Sequence, residues 1–174
     1  MDPAKLIFLD ESGAKTNMTR RYGRALRGQR VHAACPQGHW QTTTMISSIR
    51  LDGSTACMTI PGATDAEVFR VYVSQILCPT LHPGDVVVMD NLSAHKSEAT
   101  LSLITQVGAQ IRFLPAYSPD LNPIEKMWSK VKTLLRSAEA RTQQGLLQAI
   151  GSALEQVTRQ DATNWFASCG YSFI

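Results

Sequence analysis

Three acidic residues are spaced so that a fold could bring them together. Asp10 follows the apolar run Leu6-Ile7-Phe8-Leu9, Asp90 follows Val86-Val87-Val88-Met89, and Glu125 comes just after Asn122-Pro123-Ile124. Carboxylates gathered at one point repel and raise one another's pKa, so a cluster of three is favourable only with positive charge among them. Hard divalent cations prefer oxygen ligands, which makes Mg2+, with Mn2+ as its substitute, the natural choice. Two such ions about 3.5–4 Å apart would activate a water or a hydroxyl and stabilise the leaving oxygen in phosphodiester cleavage. Each residue also has a plainer reading. An Asp after an apolar run is commonly a turn residue, and Glu125, three places after Asn122, has the spacing of a capping box. The combination, rather than any one residue, points to metal chemistry.

The charge distribution agrees with a polyanionic substrate. The formal net charge is only +3, yet Lys15, Arg20, Arg21, Arg24, Arg27 and Arg30 form a run with no acid among them. A second basic set, Lys126, Lys130, Lys132, Arg136 and Arg141, follows Glu125. One such cluster is often just a solvated face. Two that flank carboxylates suit phosphate neutralisation, which is how proteins hold DNA. Arg20, Arg21, Arg24, Arg27 and Arg30 are the DNA-backbone candidates, with Lys126 and Lys130 as weaker ones.

The elements that would position the acids follow from periodicity. Residues 5–9 read as a buried strand closed by the polar turn Asp10-Glu11-Ser12-Gly13, so that Asp10 ends the strand. The basic stretch after it suits a loop or a hairpin. Residues 42–49 and 54–60 are β-prone and separated by Asp52-Gly53, a strong hairpin signal. Thr64-Asp65-Ala66-Glu67 has the form of a capping box, and Val68, Phe69, Tyr72, Val73 and Ile76 give the helical stripe behind it. Residues 86–89 form a fourth strand and 97–107 a helix stopped by Gly108. Residues 110–114 form a fifth strand, parallel to the fourth. Asn122 caps a helix with Pro123 at its first position and Leu121, Ile124, Trp128, Val131 and Leu135 on its apolar face. Trp128 reads as a core anchor for that helix. Helical patterns over 142–157 and 161–168 close the chain. This order is α/β: a mixed five-stranded sheet, three antiparallel strands then parallel ones, flanked by helices. It is the order expected of a ribonuclease-H-like fold, read as one domain over residues 1–174.

Composition excludes several other classes. At 44% hydrophobic and 18% charged residues the chain reads as a soluble globular protein. No apolar run is long enough to span a membrane, and the amino terminus lacks the pattern of a signal peptide, so the expected location is the cytoplasm. Cys35, Cys57, Cys78 and Cys169 are widely spaced, which argues against a zinc site or a disulfide scaffold and for reduced, packed thiols. No Gly-rich phosphate loop follows any strand.

Three stretches, "FLDESG", "VVVMDNLSAHK" and "FLPAYSPDLNPIEKMWSKVK", resemble the catalytic blocks of the DDE transposases, in the insertion-sequence-630 branch of the Tc/mariner superfamily. The 34 residues between Asp90 and Glu125 match the spacing of that superfamily, and the resemblance covers nearly the whole chain. It implies that Asp10, Asp90 and Glu125 bind two Mg2+ ions, Asp10 bridging them and the other two taking one each. It implies cutting of DNA at transposon ends, joining of the free 3′-OH to target DNA, and action as a homo-oligomer on DNA. Asn91 and His95 match the family's second block and would steady Asp90 or approach a phosphate, while Asn122 is expected to cap its helix. Family members usually carry helix-turn-helix domains ahead of the catalytic domain. The first strand here starts at about Lys5, so the expectation is that end recognition resides elsewhere, on a separate chain of a split reading frame or in a part lost from a truncated one. A related nuclease without strand transfer, or an idle remnant serving as a binding module, are the rival readings.

Overall fold

The structure, a computed structural model, describes residues 2–171. Five strands, β1 (Leu6–Lys15), β2 (Thr42–Arg50), β3 (Thr55–Pro61), β4 (Val86–Met89) and β5 (Gln110–Phe113), form one sheet in the order β3-β2-β1-β4-β5. β1 runs antiparallel to β2 and β2 to β3, whereas β4 is parallel to both β1 and β5. The fold is therefore the mixed sheet that the sequence leads one to expect.

Among the described residues five α-helices cover it: α1 (Ala66–Tyr72), α2 (Glu98–Gln106), α3 (Pro123–Ala138), α4 (Gln143–Glu155) and α5 (Arg159–Ser168). Alternation of side chains along β1 divides the interior in two. Leu6 and Phe8 join Trp128, Val131 and Leu135 of α3, with α4 and α5, in one buried cluster. Ile7 and Leu9 join Phe69 and Tyr72 of α1 and Ile104 of α2 in the other. Trp128 is buried in the first cluster, as its reading as an anchor requires.

Several local expectations need correction. β1 does not end at Asp10: it continues five residues further, because β2 pairs with it from Ile7↔Arg50 to Lys15↔Thr42. What stops near Asp10 is the partner on the other side. The β1–β4 register ends at Phe8↔Val88, and β4 ends at Met89. The first helix is capped by Asp65, whose carboxylate accepts from Val68 N–H, and not by a box built on Thr64. Its second half widens and then tightens, through a π turn (Val73–Leu77) and a 3-10 turn (Cys78–Thr80), where Pro79 removes a backbone donor. The basic stretch is a loop over residues 16–41 with no strand or helix in it, exposed throughout residues 20–41. Cys35 lies in that loop, so it is exposed and not packed.

Candidate active site

The backbone of the sheet splits the Asp10-Glu11 pair. Side chains alternate along β1, so Asp10 shares the face of Leu6 and Phe8, towards α3, and Glu11 shares the face of Ile7 and Leu9, towards α1 and α2. Asp90 is the first residue past β4, where the neighbouring pairing with β1 has also run out. Glu125 lies in the first turn of α3. A crevice outside the carboxyl end of β4 results, and a cavity of about 420 Å3 there is lined by Asp10, Asp90, Asn91, Asn122 and Glu125, among others. The structure thus brings the three predicted acids to one cavity, together with Asn91 and Asn122.

The electrostatics of that cavity are unfavourable for an uncompensated anion. Asp10 is pushed up to about 7, first by burial and further by the charges of Glu125 and Asp90. Among the described residues, no lysine or arginine is ion-paired with Asp10, Asp90 or Glu125. The carboxylates line the cavity walls without closing on one point: among the described residues, no three Asp, Glu, His or Cys groups already form a metal-holding set.

Asp90 is held from several sides. Leu92 N–H donates to its Oδ1 at 3.1 Å, closing a tight Asx turn. The Asn91 amide donates to Leu114 C=O at 3.2 Å and ties this turn to the end of β5. His95 is fully buried, with Nδ1 2.7 Å from Asp90 Oδ1 and Nε2 3.4 Å from Glu11 Oε1. With the imidazole protonated, Nδ1 and Asp90 Oδ1 form a close ion pair. The imidazole also stacks on Phe69 at 4.2 Å between centroids. Burial opposes the imidazolium, but the Glu11 and Asp90 carboxylates outweigh it and hold the His95 pKa above its usual value. His95 is therefore a bridge between the two faces of the sheet.

Asn122 occupies the N-cap position of α3, yet its side chain makes no capping bond. It is buried, and its Oδ1 has no hydrogen-bond partner. Glu125 does not reach back to the cap either: its own N–H donates to the Asn122 carbonyl. The capping-box alternative is not what this turn adopts. An orphaned buried amide oxygen beside three carboxylates is an all-oxygen donor set, the kind that hard divalent cations take.

The basic candidates separate into two groups. Arg20, Arg21, Arg24, Arg27 and Arg30 are all exposed on the loop after β1. Arg141 fastens that loop by donating to Met18 C=O at 2.8 Å. Arg21 comes near enough to Arg136 of α3 for repulsion to add to burial in lowering the Arg136 pKa. Lys130, by contrast, is engaged within the fold, 2.6 Å from both Asp161 Oδ2 and Gln156 C=O. Lys126 lines a shallow groove between α3 and α5 with Trp165.

Sequence patterning does not single out Glu11 or Phe69. Alternation along β1 is the available signal for Glu11, since it places a carboxylate on the face of Ile7 and Leu9. For Phe69 there is none, because its apolar stripe reads only as core.

A mixed sheet of this order, with one carboxylate within its central strand, one just past the neighbouring strand and a third on the helix that follows, is the ribonuclease-H-like fold of transposase and integrase catalytic domains. The chain belongs to the DDE superfamily endonucleases, whose family profile matches residues 5–147. Among solved structures it is similar to Mos1 transposase in a paired-end complex with the left transposon end, at 16% identity and a TM-score of 0.69 over 95% of this chain and 52% of that one. It is similar to the Mos1 strand transfer complex at 14% identity and a TM-score of 0.70, covering 95% and 51%. The catalytic core of BIV integrase aligns at 13% identity and a TM-score of 0.56, covering 87% and 81%. The chain spans about half the length of the Mos1 chains. No match was found among curated protein sequences. No helix among the described residues is long and apolar enough to cross a membrane.

Proposed function

We propose that the chain is the catalytic domain of a DNA transposase of the insertion-sequence-630 type, cutting transposon ends and joining 3′-OH ends to target DNA. The observation that carries this reading is the convergence of Asp10, Asp90 and Glu125 on one cavity, with Asp10 pushed up to about 7 and no basic side chain among the described residues pairing any of the three. Asp10, Asp90 and Glu125 would hold the cations, with Asn122 Oδ1 beside them. Two Mg2+ ions, or Mn2+ in their place, would supply activation of a water or a 3′-hydroxyl and charge neutralisation at the scissile phosphate.

The chain's own residues have separable tasks. His95 and the Leu92 N–H hold Asp90 through Oδ1, and Oδ2 makes no hydrogen bond or ion pair among the described residues. The buried strands behind Asp10 and Asp90 are a rigid mount, which such chemistry needs. The arginines at 20, 21, 24, 27 and 30 would follow the DNA backbone, and Lys126 would add to them. Similarity to the Mos1 paired-end complex with the left transposon end and to the Mos1 strand transfer complex supports DNA as the partner and a homo-oligomer as the working form. Recognition of the transposon ends would come from a further domain, on this or a separate chain, and the work would take place in the cytoplasm.

The test is strand cleavage by the protein supplied with its end-recognition domain, with and without Asp90→Ala or Glu125→Ala. Mg2+-dependent cleavage should disappear in either variant. Cleavage that persists at the unmutated level would remove the assignment, and a product assay for joined strands separates transposition from plain hydrolysis.

A further inference from the structure

The loop between β5 and α3 forms one wall of the cavity and carries an unusual residue. Tyr117 is fully exposed, and its φ of 58° lies in the left-handed region that a β-carbon disfavours. Only one other non-glycine residue among those described, Glu139 at the end of α3, shares that conformation, and there it serves as a helix C-cap. Tyr117 caps nothing. Its ring has no aromatic neighbour and its hydroxyl no hydrogen-bond partner among the described residues. Pro115 and Pro119 stand on either side of it, and both line the cavity with it. Strained backbone kept without any internal contact to repay it is a mark of a site built for something outside the chain.

Position identifies the ligand chemistry. Tyr117 shares its cavity with Asp10, Asp90, Asn122 and Glu125, so whatever enters to meet the carboxylates passes its ring. Leu92, half exposed, lines the same cavity, together with Leu114, Pro115 and Pro119. An apolar and aromatic rim around an acidic floor suits a molecule with a flat π-face joined to a phosphate. Aromatic side chains hold unpaired bases by stacking, without reading sequence. We propose that Tyr117 is a stacking platform for an unpaired nucleobase beside the scissile phosphate. The proposal rests on the DNA-cleaving reading above, and its two prolines keep the ring in place before DNA arrives.

The probe is a duplex oligonucleotide with a short 3′ overhang that carries 2-aminopurine, mixed with the full chain and Ca2+, an oxygen-ligand cation that neutralises the carboxylates in place of Mg2+ without supporting cleavage. Wild-type protein should quench the fluorophore. Tyr117→Ala should lose most of the quenching and bind roughly tenfold more weakly or worse, whereas Tyr117→Phe and Tyr117→Trp should retain both. Tyr117→Gly adopts the backbone freely, so it should show the same loss while melting no lower than wild type, which separates the ring from distortion of the loop. The proposal falls if wild type does not quench or if Tyr117→Ala quenches like wild type. It also falls if Tyr117→Phe loses as much as Tyr117→Ala, since the hydroxyl would then be the contact. A Tyr117→Ala change seen only in self-association, by sedimentation, would assign the ring to a protein partner instead and overturn it too. Failure of the functional reading is seen separately: Asp90→Ala would then cleave like wild type, whatever the quenching shows.

Discussion

His95 Nδ1 stands 2.7 Å from Asp90 Oδ1, and the other ring nitrogen faces Glu11 Oε1 at 3.4 Å. The imidazole therefore joins the carboxylate just past β4 to one on β1 that points away from the cavity. Phe69 stacks against the ring and fixes its plane. Asp10 and Glu11 are neighbours in sequence with opposite duties: one faces the cavity, the other holds the histidine that holds Asp90. Partners that orient ligating carboxylates in this way commonly matter nearly as much as the ligands.

His95→Ala should lower metal affinity and cleavage by about 10–100-fold, the range typical of groups that orient ligands. It should also lower stability by about 2–4 kcal/mol, because it opens a void under Phe69 and leaves Glu11 half-buried without its partner. Glu11→Gln keeps the volume and a hydrogen-bonding oxygen, so its stability loss should be under about 1.5 kcal/mol. Calorimetric Mn2+ titration together with urea unfolding checks both. Equal metal affinity in His95→Ala and wild type would show that the bridge has no bearing on Asp90.

Divalent cation should stabilise the folded chain. A ligand that binds only the native state at 100 times its Kd adds about 2.7 kcal/mol, and here its charge would offset the burial and the Glu125 and Asp90 charges that raise Asp10. Thermal unfolding with Mn2+ should therefore shift upward in wild type and not in Asp90→Ala or Glu125→Ala. A similar shift in all three would place the cation elsewhere on the protein.

The far end of the sheet depends on a different carboxylate. Asp85 is buried and accepts from Arg50 Nη2 at 2.7 Å and from His82 N–H at 2.8 Å, while Arg50 also donates to Thr80 C=O. Burial alone would raise the Asp85 pKa, but Arg50 and the His82 amide outweigh it and hold it below the usual carboxylate value of 3.8. A depressed pKa means that this stability is fully present above pH 3.8 and is lost as pH falls below it, through the lower folded value. Asp85→Asn should flatten that acid limb in urea unfolding, and Asp85→Ala should cost about 3 kcal/mol at pH 7 by stranding the Arg50 guanidinium. A variant with an unchanged acid limb would show that Asp85 does not carry it.

Element order and the three carboxylates were legible in the sequence because strands and the Asn-Pro helix start declare themselves within a few residues. What the sequence hid was set by partners distant along the chain. β1 reads as ending at Asp10 because Asp-Glu-Ser-Gly looks like a turn, yet β2 pairs with it from Ile7 to Lys15 and polar side chains are tolerated where β4 has already stopped. The role of His95 depends on Glu11, 84 residues away, and on Phe69 in a helix that reads only as amphipathic. Asn122 has the identity and position of a cap, but its side chain is buried towards the cavity and Glu125 N–H takes the backbone carbonyl instead. The left-handed turn at Tyr117 leaves no mark in the sequence beyond its two prolines.

Lys130 and the loop arginines look alike in sequence and should behave differently in experiment. The Lys130 ammonium ties α3 to α5 through Asp161 and the Gln156 carbonyl, and with Thr158 it holds the Asp161 pKa down at about 2. Lys130→Met should thus cost about 1 kcal/mol of stability, modest because the pair is partly solvated. Its DNA affinity should not change. Arg24, Arg27 and Arg30 are exposed. Replacing all three with alanine should leave the melting temperature within about 1 °C, since exposed side chains away from packing contribute little. If they neutralise phosphates, log K against log salt should become shallower by about 0.9 for each arginine that does so. Fluorescence anisotropy on a generic duplex across a salt series distinguishes the two cases. A triple variant with the wild-type slope would show that these three arginines do not touch DNA, and a Lys130→Met variant with a shallower one would return that lysine to the DNA surface.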